Sequence, residues 1–208
     1  MSLAYKISGY NRKRKWNLFS DLIKPNQQTT ILDVGFSERE YSETDNFLEK
    51  NYAHQKNITA LGIDQPTEFS KRYPKVKAIQ YDGRKFPFSD QAFDLCWSNA
   101  VLEHVGSRER QRLFLAEIKR AAKRAFITTP NKLFPIEVHT RTPLLHWLPK
   151  KWFDKYLRLV RKDWATGDYM NLLTLNDLKT LLRDAGINDY KIIKNKFLFF
   201  TLDFVVMW

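Results

Sequence analysis

The feature that most constrains the fold is an alternation of short apolar segments with segments of helical periodicity. Strand-like segments lie at residues 29–36, 58–64, 76–82, 93–100 and 124–130, and helix-like segments lie at 42–54 and 107–123. Strands joined through helices pair in parallel, because a parallel connection needs a crossover. Nearly all-apolar strands are covered on both faces. The pattern therefore predicts a doubly wound α/β fold with a mostly parallel sheet and helices on both faces.

The last third of the chain has a different pattern. A helix is predicted at 174–186, with Thr174 as its N-cap and Gly186 at its end. Two strand-like segments, DYKIIKN and FLFFTLDFVVMW, follow it closely. This spacing predicts an antiparallel hairpin at the edge of the sheet.

The remaining segments are placed within one domain, residues 1–208. No stretch rich in Pro, Gly or Ser divides the chain. Residues 1–28 are interpreted as a basic N-terminal extension. Residues 131–173 hold prolines and aromatic residues without a clear strand, and they are interpreted as an insertion or lid.

Composition narrows the cellular setting. Cys96 is the only cysteine, which excludes an internal disulfide and a thiolate metal cluster, and we expect no metal site. The first twenty residues lack an apolar core, and no window reaches the length of a membrane span, so we expect a cytoplasmic protein. The net charge of +12 has two readings, a solvated basic surface or an anionic partner.

Polar residues follow the predicted strands where a doubly wound sheet binds its ligands. In chain order, they are Asp33 and Gly35, Asp64, Asp82 and Gly83, and Ser98 and Asn99. A carboxylate after the second strand suits a ribose diol, since it accepts two hydroxyl hydrogen bonds. Gly35 lets the backbone pass close to a ligand. The series predicts a nucleoside-containing ligand at this edge of the sheet.

These residues resemble the class I methyltransferases that use S-adenosylmethionine (SAM). The resemblance is carried by ILDVG, ITALGID and the block YDGRKFPFSDQAFDLCWSNAVLEHV, and it spans residues 29–130. The last block is similar to the branch with the ubiquinone and menaquinone methyltransferases, where "LPF-x-D-x-x-FD" precedes "LEH". The resemblance implies a Rossmann-like fold with a seven-stranded sheet and SAM as the cofactor.

It also implies a role for each residue of the series. Asp33 and Gly35 would lie along the methionine part of SAM, and Asp64 would hold the ribose hydroxyls. Asp82, with Gly83 beside it, would meet the adenine amino group. Ser98 and Asn99 would line the floor beneath the sulfonium.

The first loop departs from the family pattern. The family has Asp/Glu-x-Gly-x-Gly-x-Gly, whereas only Gly35 of the three glycines is present here, and the distance to Asp64 is about ten residues longer than expected. Two interpretations stay open. The loop takes a different path around SAM, or the pocket has decayed and the protein is a non-catalytic binding protein.

Methyl transfer needs a positioned acceptor and, for a hydroxyl or an acidic carbon, a base. The candidate bases are His104, Glu137 and His139, although the histidine of LEH also has a structural interpretation. His54 and His146 are interpreted as helix or surface residues. Cys96 lies in the middle of a predicted strand, which favours a core position over a nucleophile.

The segment 147–164 combines aromatic and basic residues. As one helix it would place an aromatic and apolar face opposite a basic face, with Trp152, Phe153, Tyr156, Leu157, Val160 and Trp164 on the first and Lys151, Lys155, Arg158 and Lys162 on the second. Three interpretations are open: a lid helix packed on the domain, a contact with an anionic membrane surface, or a groove that stacks bases.

Three functions follow. The first is a methyltransferase acting on a small-molecule or lipid-linked acceptor, with peripheral contact to the inner membrane surface through 147–164, assisted by the basic run 12–16. The second is a non-catalytic binding protein on the same fold. The third is a nucleic-acid methyltransferase, which the charge favours and which the absence of an Asn-Pro-Pro-aromatic signature after the fourth strand disfavours.

Overall fold

The computed structural model describes residues 3–208, with side chains from residue 9 onward. The strands are β1 (Ile31–Val34), β2 (Ile58–Gly62), β3 (Lys77–Gln80), β4 (Phe93–Asn99), β5 (Ala122–Pro130), β6 (Lys191–Phe197) and β7 (Phe200–Met207). The helices include α1 (Leu3–Ile23), α2 (Phe47–Asn51), α3 (Thr67–Arg72), α4 (Arg108–Ala121), α5 (Lys150–Leu159) and α6 (Leu175–Asp184). These elements confirm the predicted α/β fold.

The sheet has seven strands in the order β3-β2-β1-β4-β5-β7-β6. β1 pairs in parallel with both β2 and β4, and β2 pairs in parallel with β3. The chain order therefore reverses between β1 and β4, and such a switch point is where α/β sheets bind ligands. β6 pairs with β7 antiparallel, as predicted, which completes the Rossmann-like arrangement.

By its internal packing the chain divides into two compact units. The first unit contains the residues up to Ser98 and the segment Lys119–Phe126, and the second contains Asn99–Ile118 and Ile127–Trp208. The assignment of the chain to a single domain stays a prediction.

The core of the first unit includes the helix α1, which the sequence analysis did not predict within the basic stretch 1–28. Phe19 is fully buried, with its ring centroid 4.8 Å from that of Trp97 and 5.4 Å from that of Phe126. Trp97 and Phe126 stack almost in parallel at 5.1 Å. Trp16 adds an edge contact to Trp97. The helix therefore contributes aromatic residues to the core beside β4 and β5.

In the second unit, α6 begins as the sequence predicts. The Thr174 hydroxyl accepts a hydrogen bond from the N–H of Asp177, whose carboxylate in turn accepts from the Thr174 N–H, so a capping box is present. The helix buries Leu178, Leu181 and Leu182, and Gly186 follows its end with a φ of 75°.

The segment 147–164 does not form one continuous helix. α5 ends at Leu159, and Trp164 lies in a separate 3-10 turn at Asp163–Ala165. Phe153 and Leu157 are buried with Ala165 and Met170, so this face packs against other residues of the segment 131–173, and the lid interpretation stays a prediction. The predicted single apolar face is therefore divided, and Trp152 and Trp164 are left exposed.

Candidate functional site

The residue after β1 is Gly35, whose backbone conformation favours glycine over any other residue. Gly35 has a φ of 104°, a conformation that a residue with a Cβ rarely adopts. Its N–H donates to the Leu61 carbonyl at 2.8 Å, which extends the pairing with β2 before the chain turns. Gly35 is exposed, so the backbone at the end of β1 is open to a ligand.

Asp33 lies in β1 as a buried member of a carboxyl pair. Its neighbour is Glu49 of α2, which is fully buried. Neither Glu49 oxygen has a hydrogen-bond partner among the described residues. Burial and then the adjacent Glu49 raise the pKa of Asp33 well above its ordinary range, and burial also raises the pKa of Glu49. Because two adjacent buried carboxylates repel each other, the pair is more stable when it shares a proton.

The loop after Gly35 is ordered by side chains instead of the missing glycines. Ser37 replaces the family's second glycine, and its N–H donates to Asn46 Oδ1 at 2.8 Å, while Asn46 Nδ2 returns a bond to the Ser37 carbonyl at 2.9 Å. Two oxygens of Glu38 accept the N–H groups of Glu68 and Phe69 at the start of α3. The loop therefore has a defined path along the ends of β1 and β2.

Phe36 fixes the same loop against β2. A Cβ added at Gly62 would lie 2.6 Å from a carbon of the Phe36 ring, so the ring occupies the space above this glycine. The Phe36 ring also packs on Phe69, with the two centroids 4.5 Å apart.

The ends of β2 and β3 lie side by side. The Tyr81 N–H donates to the Gly62 carbonyl at 2.9 Å, which places Asp82 and Gly83 beside the turn after β2. Gly83 has a φ of 77°, and a Cβ there would be 3.6 Å from a methyl group of Ile63. Ile63, which is apolar and 65% exposed, was not among the site residues predicted from the sequence. In the sequence it has the character of a core residue, and only its exposure in the structure distinguishes it from one.

The two predicted carboxylates differ in their contacts. Asp64 is exposed. Asp82 is also exposed, and its Oδ1 accepts the N–H of Arg84 at 2.9 Å, which leaves its second oxygen available for a ligand. Together with Ile63, they give this edge of the sheet two carboxylates around an apolar side chain.

Ser98 and Asn99 at the end of β4 are already bonded within the protein. Ser98 is buried, and its hydroxyl donates to the Val34 carbonyl at 3.1 Å. Asn99 Oδ1 accepts from the Thr128 hydroxyl at 2.7 Å. Ser98 is therefore enclosed in the protein, with its hydroxyl already engaged.

Two predicted catalytic histidines meet in the second unit. His104 ends the 3-10 turn Leu102–His104, and His139 lies 35 residues further on, yet their Nε2 atoms are 3.1 Å apart. Glu103 Oε1 is 3.9 Å from each of these nitrogens. The two histidines were predicted as separate candidates, and the structure places them in one cluster with Glu103.

Glu137, the third candidate base, supports His139. Its Oε1 lies 2.8 Å from His139 Nδ1, and its Oε2 accepts from the Thr140 hydroxyl at 2.6 Å. Although burial opposes both charged forms, these bonds hold the pKa of Glu137 at about 2 and raise the pKa of His139. Glu137 is thus an anchored carboxylate that orients the imidazole.

Two residues interpreted as structural, Cys96 and His146, are both buried. Cys96 is buried in β4, and burial raises the pKa of its thiol well above the ordinary range, as expected of a core cysteine. His146 is buried, contrary to the interpretation as a surface residue, and its Nε2 lies 2.9 Å from the Phe134 carbonyl.

A cavity of about 250 Å³ lies within the second unit. Its lining includes Arg108, Lys132, His146 and Lys150, with Asp177 as the acidic residue. Arg108 is paired with Asp177 at 2.8 Å and Lys150 with Asp154 at 2.9 Å, so Lys132 carries the excess positive charge of the lining.

Comparison with solved structures confirms the fold. A SAM-dependent methyltransferase from Methanosarcina mazei aligns with a TM-score of 0.53 and 16% identity, over 88% of this chain and 92% of that one. One from Mesorhizobium loti aligns with a TM-score of 0.57 and 14% identity, over 86% and 89%. The 1,6-didemethyltoxoflavin-N1-methyltransferase of Burkholderia thailandensis, solved with S-adenosylhomocysteine, gives 0.57 and 15%, over 95% and 76%.

A family model matches part of the chain. Residues 32–125, a little less than half of the chain, are similar to the model of the methyltransferase domain. This match confirms the predictions of an enzyme and of SAM as its cofactor, and the matched residues include Asp33, Gly35, Asp64 and Asp82. No curated protein matches the chain.

Among the described residues, no helix is both long and apolar enough to cross a membrane.

Proposed function

We propose that this protein transfers the methyl group of SAM to an anionic small-molecule or lipid-linked acceptor. The observation that carries the proposal is the edge of the sheet in the first unit. There the open Gly35 and the exposed Asp64 and Asp82 follow β1, β2 and β3, at positions that the family resemblance assigns to SAM, and the exposed Ile63 lies beside them.

The residues present fit the cofactor. Gly35 leaves its backbone open beside the methionine part, and Asp64 is free of crowding to accept two ribose hydroxyls. Ile63 offers an apolar surface to the adenine ring, and the second oxygen of Asp82 suits its amino group. When bound, SAM supplies a methyl group on a sulfonium. The protein's part is to orient the reacting groups, which is the main source of rate in such a displacement.

The acceptor class is inferred from the basic cavity. Lys132, with the ion-paired Arg108 and Lys150 in the same lining, would attract a phosphate or carboxylate, and the polar residues around it would fix its orientation. Within the second unit we retain His104 and His139 as proposed catalytic side chains, because the fold brings them together with two buried carboxyl groups.

The decisive experiment is a calorimetric titration with SAM and S-adenosylhomocysteine. We expect binding in the micromolar range that weakens at least about tenfold in Asp64→Ala, since a lost charge-assisted hydrogen bond is worth roughly 1.5–3 kcal/mol. Asp189→Ala, which removes an exposed carboxylate elsewhere, is the matched control. Absence of binding by the wild-type protein at millimolar ligand would contradict the proposal and favour a non-catalytic binding protein.

The lipid-linked form of the acceptor is supported by exposed aromatic residues. Trp152 and Trp164 stay exposed beside basic residues, and Lys155 lies over the Trp152 ring at 6.0 Å. Aromatic side chains flanked by Lys suit the headgroup region of an anionic membrane. Sedimentation with phosphatidylglycerol vesicles should decrease in Trp152→Ala/Trp164→Ala. Equal sedimentation of the wild-type and variant proteins would restrict the acceptor to a free small molecule.

One block of the sequence, residues 86–104, is similar to the ubiquinone and menaquinone methyltransferases. The similar residues are Phe86-Pro87-Phe88, Asp90, Phe93-Asp94 and Leu102-Glu103-His104. Phe86 is buried, and Asp90 pairs with Arg120 at 3.0 Å, so part of this similarity has a structural cause. A screen of acceptors should therefore include prenylated quinone precursors beside anionic metabolites.

A further inference from the structure

The facing nitrogens of His104 and His139 require something between them. His104 Nδ1 is 2.9 Å from the Tyr169 carbonyl, and His139 Nδ1 is 2.8 Å from a carboxylate oxygen of Glu137. A carbonyl and a carboxylate accept hydrogen bonds, so both Nδ1 atoms carry the proton. In the neutral rings both Nε2 lone pairs then point at each other across 3.1 Å. A shared proton or a cation must lie between them.

Glu103 favours the cation over the proton. This side chain is fully buried, and its Oε1 has no hydrogen-bond partner among the described residues. A proton shared by the two nitrogens would leave Oε1 without a partner, 3.9 Å from both of them. A cation placed among the three atoms satisfies all of them at once.

The dimensions of the triangle suit a transition metal. The point equidistant from three atoms separated by 3.1, 3.9 and 3.9 Å lies about 2.1 Å from each. This is the distance at which Zn²⁺ binds imidazole nitrogen and carboxylate oxygen. Two imidazoles and one carboxylate also favour Zn²⁺ and similar ions over Ca²⁺ or Mg²⁺, which prefer oxygen.

Each of the three groups is held by an outer partner. The Tyr169 carbonyl holds His104, Glu137 holds His139, and the Thr129 hydroxyl donates to Glu103 Oε2 at 3.0 Å. Acceptors on the second nitrogen of a histidine ligand are typical of metal sites. The arrangement thus has ligands already oriented for a common point.

We propose that Glu103, His104 and His139 bind one divalent transition-metal ion, with Zn²⁺ as the representative. Three protein ligands leave at least one coordination position for water or for an oxygen of the acceptor. A ligated acceptor hydroxyl would lose its proton more readily, and this role rests on the proposed function. Metal binding itself does not depend on it.

Calorimetry with Zn²⁺ alone tests the site. The full chain, without an affinity tag and treated with a chelator, should bind one Zn²⁺. His104→Gln and His139→Gln should each weaken binding by more than about tenfold, and Glu137→Gln by roughly 10–100-fold through loss of the outer partner. His54→Gln, a histidine outside the cluster, should bind as the wild-type protein does. Co²⁺ in place of Zn²⁺ should give visible absorption bands that the two ligand variants lose.

Two results would overturn the metal site. The first is that the chelator-treated wild-type protein takes up no Zn²⁺ even in a large excess of the metal. Because this measurement uses no variant, a folding defect cannot cause the result. The other is equal affinity in the wild-type protein and in both histidine variants. The Zn²⁺ and SAM titrations are separate experiments, so the two proposals can fail independently. A protein that binds Zn²⁺ but not SAM would contradict only the proposed function. A protein that binds SAM but not Zn²⁺ would contradict only the metal site.

Discussion

The carboxyl groups of Asp33 in β1 and Glu49 in α2 are both buried and lie next to each other. The pKa of each is raised, above all by burial, so the protonated pair is the stable form in the folded protein. In the unfolded chain both groups lose their protons near pH 4. The stability that the pair contributes is therefore complete below about pH 4 and is lost as the pH rises through the folded-state values.

Glu49→Gln should remove this loss of folding stability at high pH. The amide donates to the Asp33 carboxylate without a shared proton, so the free energy of unfolding of the variant should exceed that of the wild-type protein at pH 8, with a smaller difference at pH 5. Urea unfolding at the two pH values measures this. Glu43→Gln, at an exposed position, should change stability by less than about 0.5 kcal/mol at either pH. A difference independent of pH would contradict the shared proton.

Gly62→Ala should destabilise the protein through the Phe36 ring. The added Cβ would lie 2.6 Å from a ring carbon, and overpacking of this kind costs roughly 1–3 kcal/mol. Phe36→Leu should remove part of that cost, so the double variant should be more stable than the sum of the two single changes predicts. Gly9→Ala, a helical glycine with nothing within 4 Å of the new Cβ, should instead stabilise by about 1 kcal/mol. Additive effects of Gly62→Ala and Phe36→Leu would show that the ring moves aside.

Much of the sheet could be predicted from the sequence, because each strand is a short apolar segment whose length leaves little choice of structure. The N-terminal helix could not, because its run of Arg and Lys dominates the pattern. Yet Trp16, Phe19 and Ile23 have the spacing of one helical face, and that face is what packs in the core. The basic residues do not mark the exposed face alone, because Lys15 is buried as well.

Phe19→Ala should therefore be severely destabilising, by roughly 3–5 kcal/mol, as for other fully buried aromatic residues. Tyr10 lies on the same helix and is largely exposed, so Tyr10→Ala should cost less than about 0.5 kcal/mol. Thermal and urea unfolding measure both. Equal, small effects would show that the helix is a dispensable extension.

The candidate site was predictable to different degrees in its two parts. Asp33, Asp64 and Asp82 follow successive strands, so topology alone brings their segments to one edge. His104 and His139 are separated by residues without a regular period, and nothing in the sequence sets their distance. The same holds for Glu49, whose burial follows from the path of the loop 36–46.

Ile63→Ala should separate cofactor binding from stability. The side chain is 65% exposed, so its removal should change the free energy of unfolding by less than about 0.5 kcal/mol. If the adenine ring of SAM covers it, the variant loses buried apolar area worth roughly 1–2 kcal/mol, and affinity for SAM should fall about 5–30-fold. Leu198→Ala, at an exposed apolar position in the turn between β6 and β7, should leave the affinity unchanged. Calorimetry with S-adenosylhomocysteine on both variants makes the comparison, and equal affinities would place the adenine elsewhere than on Ile63.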